Sequence, residues 1–378
     1  MSVIARQFTK DILLSTVFVL VILIALFAFF DLIGQMDEVG SNKYDLATAF
    51  LLTGLTLPSR AYEVAPLAVL LAAVYTMSRW ASTSEFTVLR AAGLSPWRLA
   101  ATLILPGVLL VAGTYGMGEV VAPWAQRYQT EVRSTGDQSL SARGYVSGAW
   151  IRDVARTEGG ASIDRYINIR SISASNRYAT GAWRVFEFDD SGRLERMIRA
   201  DSGLFKPGEG WTLSDVTLVT YPVMNDSRTD PNQTPVTSER LSEFLFPSTI
   251  TPEILGVMTT KPDRMGMMDL LSYIEHLTSV NQDADHFVAV FWSKAFYPLA
   301  VLVMLAISMP FAYMNARSGG VAIKIFLGVL IGIAFYALNN LFSYLSIFAA
   351  VPPAVMAAAP SVMMFILSGA MLWWVEKR

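Results

Sequence analysis

The stretch Ser82–Arg98, STSEFTVLRAAGLSPWR, carries the densest local signal in the chain. Ser82 and Glu85 have capping-box spacing, in which a hydroxyl and a carboxylate each satisfy a backbone N–H at a helix start. Good helix formers fill Glu85–Ala92, Gly93 suits the far end, and Pro96 after Ser95 suits the first turn of another helix. Phe86 and Leu89 share a face three residues apart, flanked by Val88 and Ala92. Two readings stand. In one, the apolar pair enters a groove on a second protein while Glu85 and Arg90 fix the orientation. In the other, Glu85 in the first turn and Arg90 near the last complement the helix macrodipole and nothing more. The spacing alone favours neither.

Other chemistry is sparse. No phosphate-cradling G-x-x-x-x-G-K-[ST], no G-x-S-x-G elbow and no H-E-x-x-H occurs. His276 and His286 stand ten residues apart without a ligand-spaced partner, so both are expected to face solvent or an interface rather than hold a metal. There are no cysteines, hence no disulfides or thiolate metal sites. A formal net charge of −2 offers no footprint for nucleic acid. The pattern points away from an enzyme and predicts no cofactor or metal bound by this chain.

The elements that must position the loop are membrane spans. Of 378 residues 53% are hydrophobic and 16% charged, against about 25% charged in soluble domains. The apolar excess sits in two blocks, about 12–122 and 288–375. With roughly 20 apolar residues per span, the first block holds three spans: Ile12–Ile33, a long second one ending at Arg79, and Leu99–Ala122. The second span is too long to run straight, and Pro58 and Pro66 are expected to kink or restart it. The second block holds Val288–Tyr313, Val321–Ser346 and Ala354–Val375. Arg6 and Lys10, then Arg79, Arg90 and Arg98, then Arg317 and Lys324, then Lys377 and Arg378, all fall on one side. The positive-inside rule makes that side cytoplasmic, with both termini there. Arg60 then lies near the outer interface, free to snorkel or to pair with Glu63 one turn on.

Residues 123–286, between the two halves 1–122 and 287–378, form an extracytoplasmic insert of ordinary soluble composition. Ala149–Ile151, Tyr166–Ile169, Trp183–Phe188 and Trp211–Val219 read as strands, and Asp190-Ser191-Gly192 as a hairpin turn. Many short strands imply a sandwich, jelly roll or open barrel. Asn225–Pro235 reads as a polar loop. Met268, Leu271, Ile274 and Leu277 then recur at helical spacing, predicting an amphipathic helix ahead of the fourth span.

Several stretches resemble the lipopolysaccharide-export permeases, the LptF/LptG family, and the likeness runs nearly the whole length. SEFTVLRAAGLSPWRLA, from Ser84, resembles the family's cytoplasmic coupling loop. GEVVAPWAQ at Gly118–Gln126 resembles the exit from its third span. FWSKAFYPLAVLVMLAISMPFAY at Phe291–Tyr313 resembles its fourth, with a W-S-K-x-x-x-P-L pattern of the LptG branch rather than the LptF branch.

The resemblance implies a permease subunit of an ABC transporter in the Gram-negative inner membrane. It implies a polytopic α-helical fold with six transmembrane helices and an inserted periplasmic β-jellyroll. LptF would be the paired permease, and a dimer of the LptB ATPase would bind ATP and Mg. LptC, with a membrane helix and a periplasmic domain, would lead to a bridge of LptA and LptD. The ligand would be lipopolysaccharide, drawn from the outer leaflet. Ser84, Glu85, Phe86, Leu89, Arg90 and Gly93 would form the ATPase-coupling helix, with Glu85 at the family's acidic position. Arg60 and Arg133 are candidates for lipid phosphates, and Phe27, Phe29, Phe326 and Phe335 for acyl chains, though each phenylalanine equally suits plain lipid contact. Where some relatives carry lysine this chain has Asp31, a charge expected to repel those phosphates. The rivals are the LptF paralogue, another ABC-type lipid exporter subunit, and a membrane-anchored binding protein with no ATPase.

Overall fold

A computed structural model describes residues 3–36, 39, 45–83, 85, 88, 96–135, 140–141, 148–156, 162–172, 178–221, 236–252, 254–255, 262–313, 321–348 and 351–376. The chain divides into two compact units, Met1–Arg127 with Ala284–Arg378, and Tyr128–Asp283.

The first unit is helical: α1 (Val3–Met36), α2 (Leu46–Ser82), α3 (Pro96–Gly116), α4 (Ala122–Thr135, shared with the second unit), α6 (Asp285–Tyr313), α7 (Val321–Phe348) and α8 (Pro353–Glu376). A π-helical turn, Met117–Val121, joins α3 to α4 without a break. Among the described residues six helical stretches are long and apolar enough to cross a membrane. The most apolar windows of α2 and α6 are 72% and 67% buried, against 11% to 22% in the other four. These two helices therefore form the centre, and the remaining spans leave apolar side chains outward, as lipid requires.

The shared core draws Phe8 and Ile12 from α1, Val69 to Trp80 from α2, Ala300 to Ala312 from α6, Phe335 from α7 and Met364 from α8. Polar pairs pin α1 to α2. Trp80 Nε1 donates to Asp11 Oδ2 at 3.0 Å, and Thr76 Oγ1 donates to Ser15 Oγ at 3.2 Å. The second span is not restarted at either proline. Pro58 and Pro66 lie inside one 37-residue helix. Each proline removes an N–H, yet neighbouring helices can hold such a helix together.

The second unit is an antiparallel sheet with one helix. Its strands are β1 (Leu140–Ser141), β2 (Ala149–Arg156), β3 (Ser162–Ile169), β4 (Ser171–Ile172), β5 (Ala179–Thr180), β6 (Trp183–Phe188), β7 (Leu194–Ala200), β8 (Ser202–Lys206), β9 (Gly210–Thr220) and β10 (Thr237–Phe246); the helix is α5 (Met267–Ser279). The ladder runs β1-β4-β5-β8-β9-β7-β6-β3-β2, with β10 on β9, giving a nearly closed, jellyroll-like sheet. Strands β3–β4, β5–β6 and β7–β8 are each interrupted by only one or two residues. One edge of β9 pairs β8 through Gly210–Ser214 and then β7 through Thr217–Thr220. Asp215, between the two ladders, has φ 52, a left-handed conformation that turns the strand. The predicted hairpin is present. Asp189 N donates to Arg193 O and Gly192 N to Asp189 O, both at 2.9 Å, with Gly192 at φ 76. The hydroxyl of Ser191 and the backbone N–H of Arg193 hold the Asp189 carboxyl down at about 2.

Trp183 and Trp211 anchor the sheet's buried face with ring centroids 5.0 Å apart, and Phe246 lies 6.1 Å from Trp183. Each indole N–H is satisfied: Trp183 Nε1 donates to Thr180 Oγ1 at 2.6 Å and Trp211 Nε1 to Ile250 O at 2.7 Å. Gly203 makes room, since a Cβ there would stand 2.6 Å from Trp183 Nε1. Charge is buried here too. Arg165 Nε donates to Glu187 Oε1 and its Nη1 to Pro247 O, each at 2.8 Å. Asp153 accepts from Ser248 Oγ at 2.8 Å and Thr249 Oγ1 at 2.7 Å.

The helix α5 exists as predicted, and of the predicted stripe Leu277 is buried but Met268 and Leu271 are not. Leu270, Tyr273, His276 and Leu277 are buried, while Met268 and Leu271 are 75% and 43% exposed. The Asn225–Pro235 loop lies outside the described residues.

Candidate functional site

Charged side chains are rare inside the spans, so those present must be paired or costly. Arg60 lies 19 residues before Arg79 on α2, a rise of roughly 28 Å at ~1.5 Å per residue, about one hydrocarbon thickness. Its guanidinium grips Asp31 of α1 with two parallel bonds: Nε donates to Oδ2 at 2.9 Å and Nη2 to Oδ1 at 2.8 Å. Nη1 donates to Glu63 Oε2 at 2.9 Å, and the Phe27 ring centroid lies 5.6 Å from the guanidinium carbon. Thr56 Oγ1 adds a bond to Asp31 Oδ2 at 3.3 Å. The Asp31 carboxylate, whose charge would repel a lipid phosphate, here neutralises Arg60, because one turn of α2 and the end of α1 meet at this level.

The same level ties further helices together. Tyr297 Oη on α6 donates to Glu63 O at 2.6 Å, and its ring lies 4.8 Å from Tyr62. Gln126 Nε2 on α4 donates to Ser59 Oγ at 2.9 Å. The π-helical turn presses Gly118 onto Tyr62, where a Cβ would stand 2.4 Å from the ring. The cluster brings together a guanidinium, two carboxylates and two phenols. It can hold helices in register and offer or withhold a cation.

Comparison with known proteins covers both the helical stretches and the β unit. A family model described as lipopolysaccharide export system permease LptF/LptG matches residues 6–374. The chain belongs to that family. It is 26% identical to the lipopolysaccharide export system permease protein LptG of Escherichia coli K12 over 377 residues, all of this chain and 98% of the relative. The LptG of Haemophilus influenzae Rd is likewise 26% identical, over 99% of this chain and 98% of its own.

In this permease the predicted site residues are scattered. Phe27 joins Arg60, as above. Phe29 and Phe326 are 59% and 61% exposed on outward faces of α1 and α7. Phe335 is 4% exposed and packs within the shared core. Arg133 falls within α4, with its side chain outside the described residues.

In the loop, Ser82 closes α2 instead of opening a new helix, its Oγ donating to Arg79 O at 2.8 Å. The contact with Glu85 comes from Thr83, whose Oγ1 donates to Glu85 Oε1 at 3.0 Å. Glu85 and Val88 are helical and exposed. Ser84, Phe86, Leu89, Arg90 and Gly93 lie outside the described residues.

His276 also departs from expectation. It is 6% exposed, its Nε2 has no hydrogen-bond partner among the described residues, and burial lowers its pKa, partly offset by Asp153. His286 is exposed. Sequence reasoning missed the pairing of Arg60 with Asp31. The available signal was one acid alone in an apolar span and one base alone at matching depth in the next.

Proposed function

We propose that this permease is an LptG-type subunit that moves lipopolysaccharide from the outer leaflet of the inner membrane toward a periplasmic bridge. The observation carrying this reading is the full-length match, which spans both helical halves and the β unit together. ATP and Mg would act at a separate LptB-type dimer, with LptF as the paired permease and LptC, LptA and LptD as the onward path. Both termini would be cytoplasmic, as the loop charges require.

Closure of the ATPase would push the loop around Glu85 and rock the spans. The exposed helical Glu85 and Val88 support that docking role. Arg60 would meet a lipid phosphate only by releasing Asp31, so this cluster serves as a latch more than an open receptor. Arg133 remains a candidate phosphate ligand, and Phe29 and Phe326 candidate acyl contacts.

Copurification tests the reading. The tagged chain, extracted in mild detergent, should bring an ATPase, a second six-span permease and lipopolysaccharide in one peak. Elution alone or as a homo-oligomer without an ATPase would overturn it in favour of an anchored binding protein.

A further inference from the structure

Residues directly opposite one another in an antiparallel ladder put their side chains on the same face. The register of the β unit carries one such row across six strands: Trp150, Asn168, Arg184, Arg199, Thr217 and Arg240. The adjacent row on that face holds Tyr166, Phe186, Met197 and Val219. A ring contact places the rows side by side. Trp150 of the first row stacks on Phe186 of the second at 5.9 Å.

Arg184, Arg199 and Arg240 are exposed and form no ion pair among the described residues. Arg184 stands directly opposite Arg199, an arrangement that like charges disfavour. These two rows contain no carboxylate. The nearby Asp164 is held by Arg152 Nη2 at 3.0 and 2.9 Å. Asp201 and Asp215, at the strand bend, are likewise unpaired with the three arginines among the described residues.

Arg184 and Arg240 are three strand steps apart, roughly 14 Å at ~4.8 Å per step. One phosphodiester headgroup does not span that distance. The apolar row beside it is equally wide. Guanidinium groups suit phosphate, and an aromatic and aliphatic strip suits acyl chains. We infer that this sheet face binds a multiply phosphorylated, multi-acyl lipid, with the arginine row on the phosphates and the Tyr166–Val219 row on the chains. The inference rests on the lipopolysaccharide reading above and adds a site within the β unit.

The test uses the full chain in phosphatidylcholine nanodiscs, with a photo-crosslinking residue in place of Thr217, between Arg199 and Arg240. The probe is bisphosphorylated, hexa-acylated lipid A. Strong crosslinking is expected, falling more than tenfold in R184Q/R199Q/R240Q and severalfold in R240Q alone, on the outer strand β10. The triple lysine variant should recover most of it at an unchanged melting temperature. Equal competition by phosphatidylglycerol, no crosslink in the parent, or an undiminished crosslink in the glutamine triple would each overturn the inference. Lipopolysaccharide copurifying without a Thr217 crosslink sinks this surface and spares the permease reading. A crosslink to lipid A with no exporter partners in the copurification does the reverse.

Discussion

Removing either partner of the Arg60–Asp31 pair should have unequal consequences. In Asp31→Asn, Arg60 keeps Glu63 on Nη1 and the Phe27 face. In Arg60→Ala, Asp31 loses both bonds of the bidentate grip and keeps the 3.3 Å bond from Thr56, with its side chain 18% exposed. Two unit charges ~4 Å apart attract by about 4 kcal/mol at an effective dielectric of 20. Desolvation takes back much of that, leaving a net coupling of about 1–3 kcal/mol for a half-buried bidentate pair. Glu63 is 54% exposed and contributes little. Asp31→Asn should therefore cost about 1–2 kcal/mol and Arg60→Ala about 2–4, because the latter takes two charge-assisted bonds and the countercharge from a largely buried carboxylate. The double variant should cost clearly less than the sum. The assay is thermal stability of the full chain in one detergent, read as the fraction still monodisperse after heating. The order should be parent, then Asp31→Asn, then Arg60→Ala, with the double variant at or above Arg60→Ala. Additive losses, or Arg60→Ala milder than Asp31→Asn, would refute the pairing.

Gly118→Ala should lower the melting temperature by the equivalent of about 1–3 kcal/mol, since its Cβ would meet the Tyr62 ring at 2.4 Å; an unchanged melting curve would show that the ring moves aside freely. Glu85→Ala should leave the helical unit as stable as the parent while weakening ATPase docking, read as lost coupled hydrolysis in the purified complex; full assembly and hydrolysis would remove Glu85 from the interface. His276 is held neutral by burial, with its folded pKa below the ordinary 6.5. The unfolded chain therefore takes up the proton first, and stability is lost as pH falls below about 6.5, by at most about 1.4 kcal/mol per pH unit. His276→Leu should flatten the melting temperature between pH 7.5 and 5.5, and an equally steep curve in that variant would assign the effect elsewhere.

What sequence showed well was anything with a long period or a strong turn signal. Runs of roughly 20 apolar residues place six spans, since lipid demands them regardless of packing. Asp190-Ser191-Gly192 marks its hairpin because few residues accept φ 76 as readily as Gly192. Packing detail was hidden. Pro58 and Pro66 signal a kink or a restart, and which of these a span with neighbours adopts is not written locally; α2 is not restarted at either. On α5 the stripe through Met268 and Leu271 fits the helical period as well as the stripe through Leu270, Tyr273 and Leu277. The choice depends on which face meets the sheet, and no local signal contains that. β10, TSERLSEFLF, lacks clean alternation because its outer positions are exposed on both faces. At the candidate site Arg60 was legible as a cation at interface depth. Its partner was not, because Asp31 is 29 residues away and the pairing depends on how α1 crosses α2.

The state of each arginine bears on where lipid phosphate would be held. Arg60 already has two carboxylates within 2.9 Å, so its charge is spent inside the bundle. A phosphate there competes with a preformed bidentate pair, and binding is weakened by whatever that pair is worth. At about 1–3 kcal/mol the penalty is roughly 5- to 150-fold, enough to make occupancy depend on a movement of α1 against α2. Arg184, Arg199 and Arg240 carry no such penalty, and bringing in an anion relieves the repulsion between Arg184 and Arg199. The two sites should thus differ in sign under one perturbation. Asp31→Asn should raise lipid A crosslinking near Arg60 and leave crosslinking at Thr217 unchanged. Raising salt from 50 to 300 mM should weaken Thr217 crosslinking far more, because that row is exposed and screened. An Asp31→Asn chain showing no gain near Arg60 would mean that Arg60 is structural and that phosphate is held elsewhere.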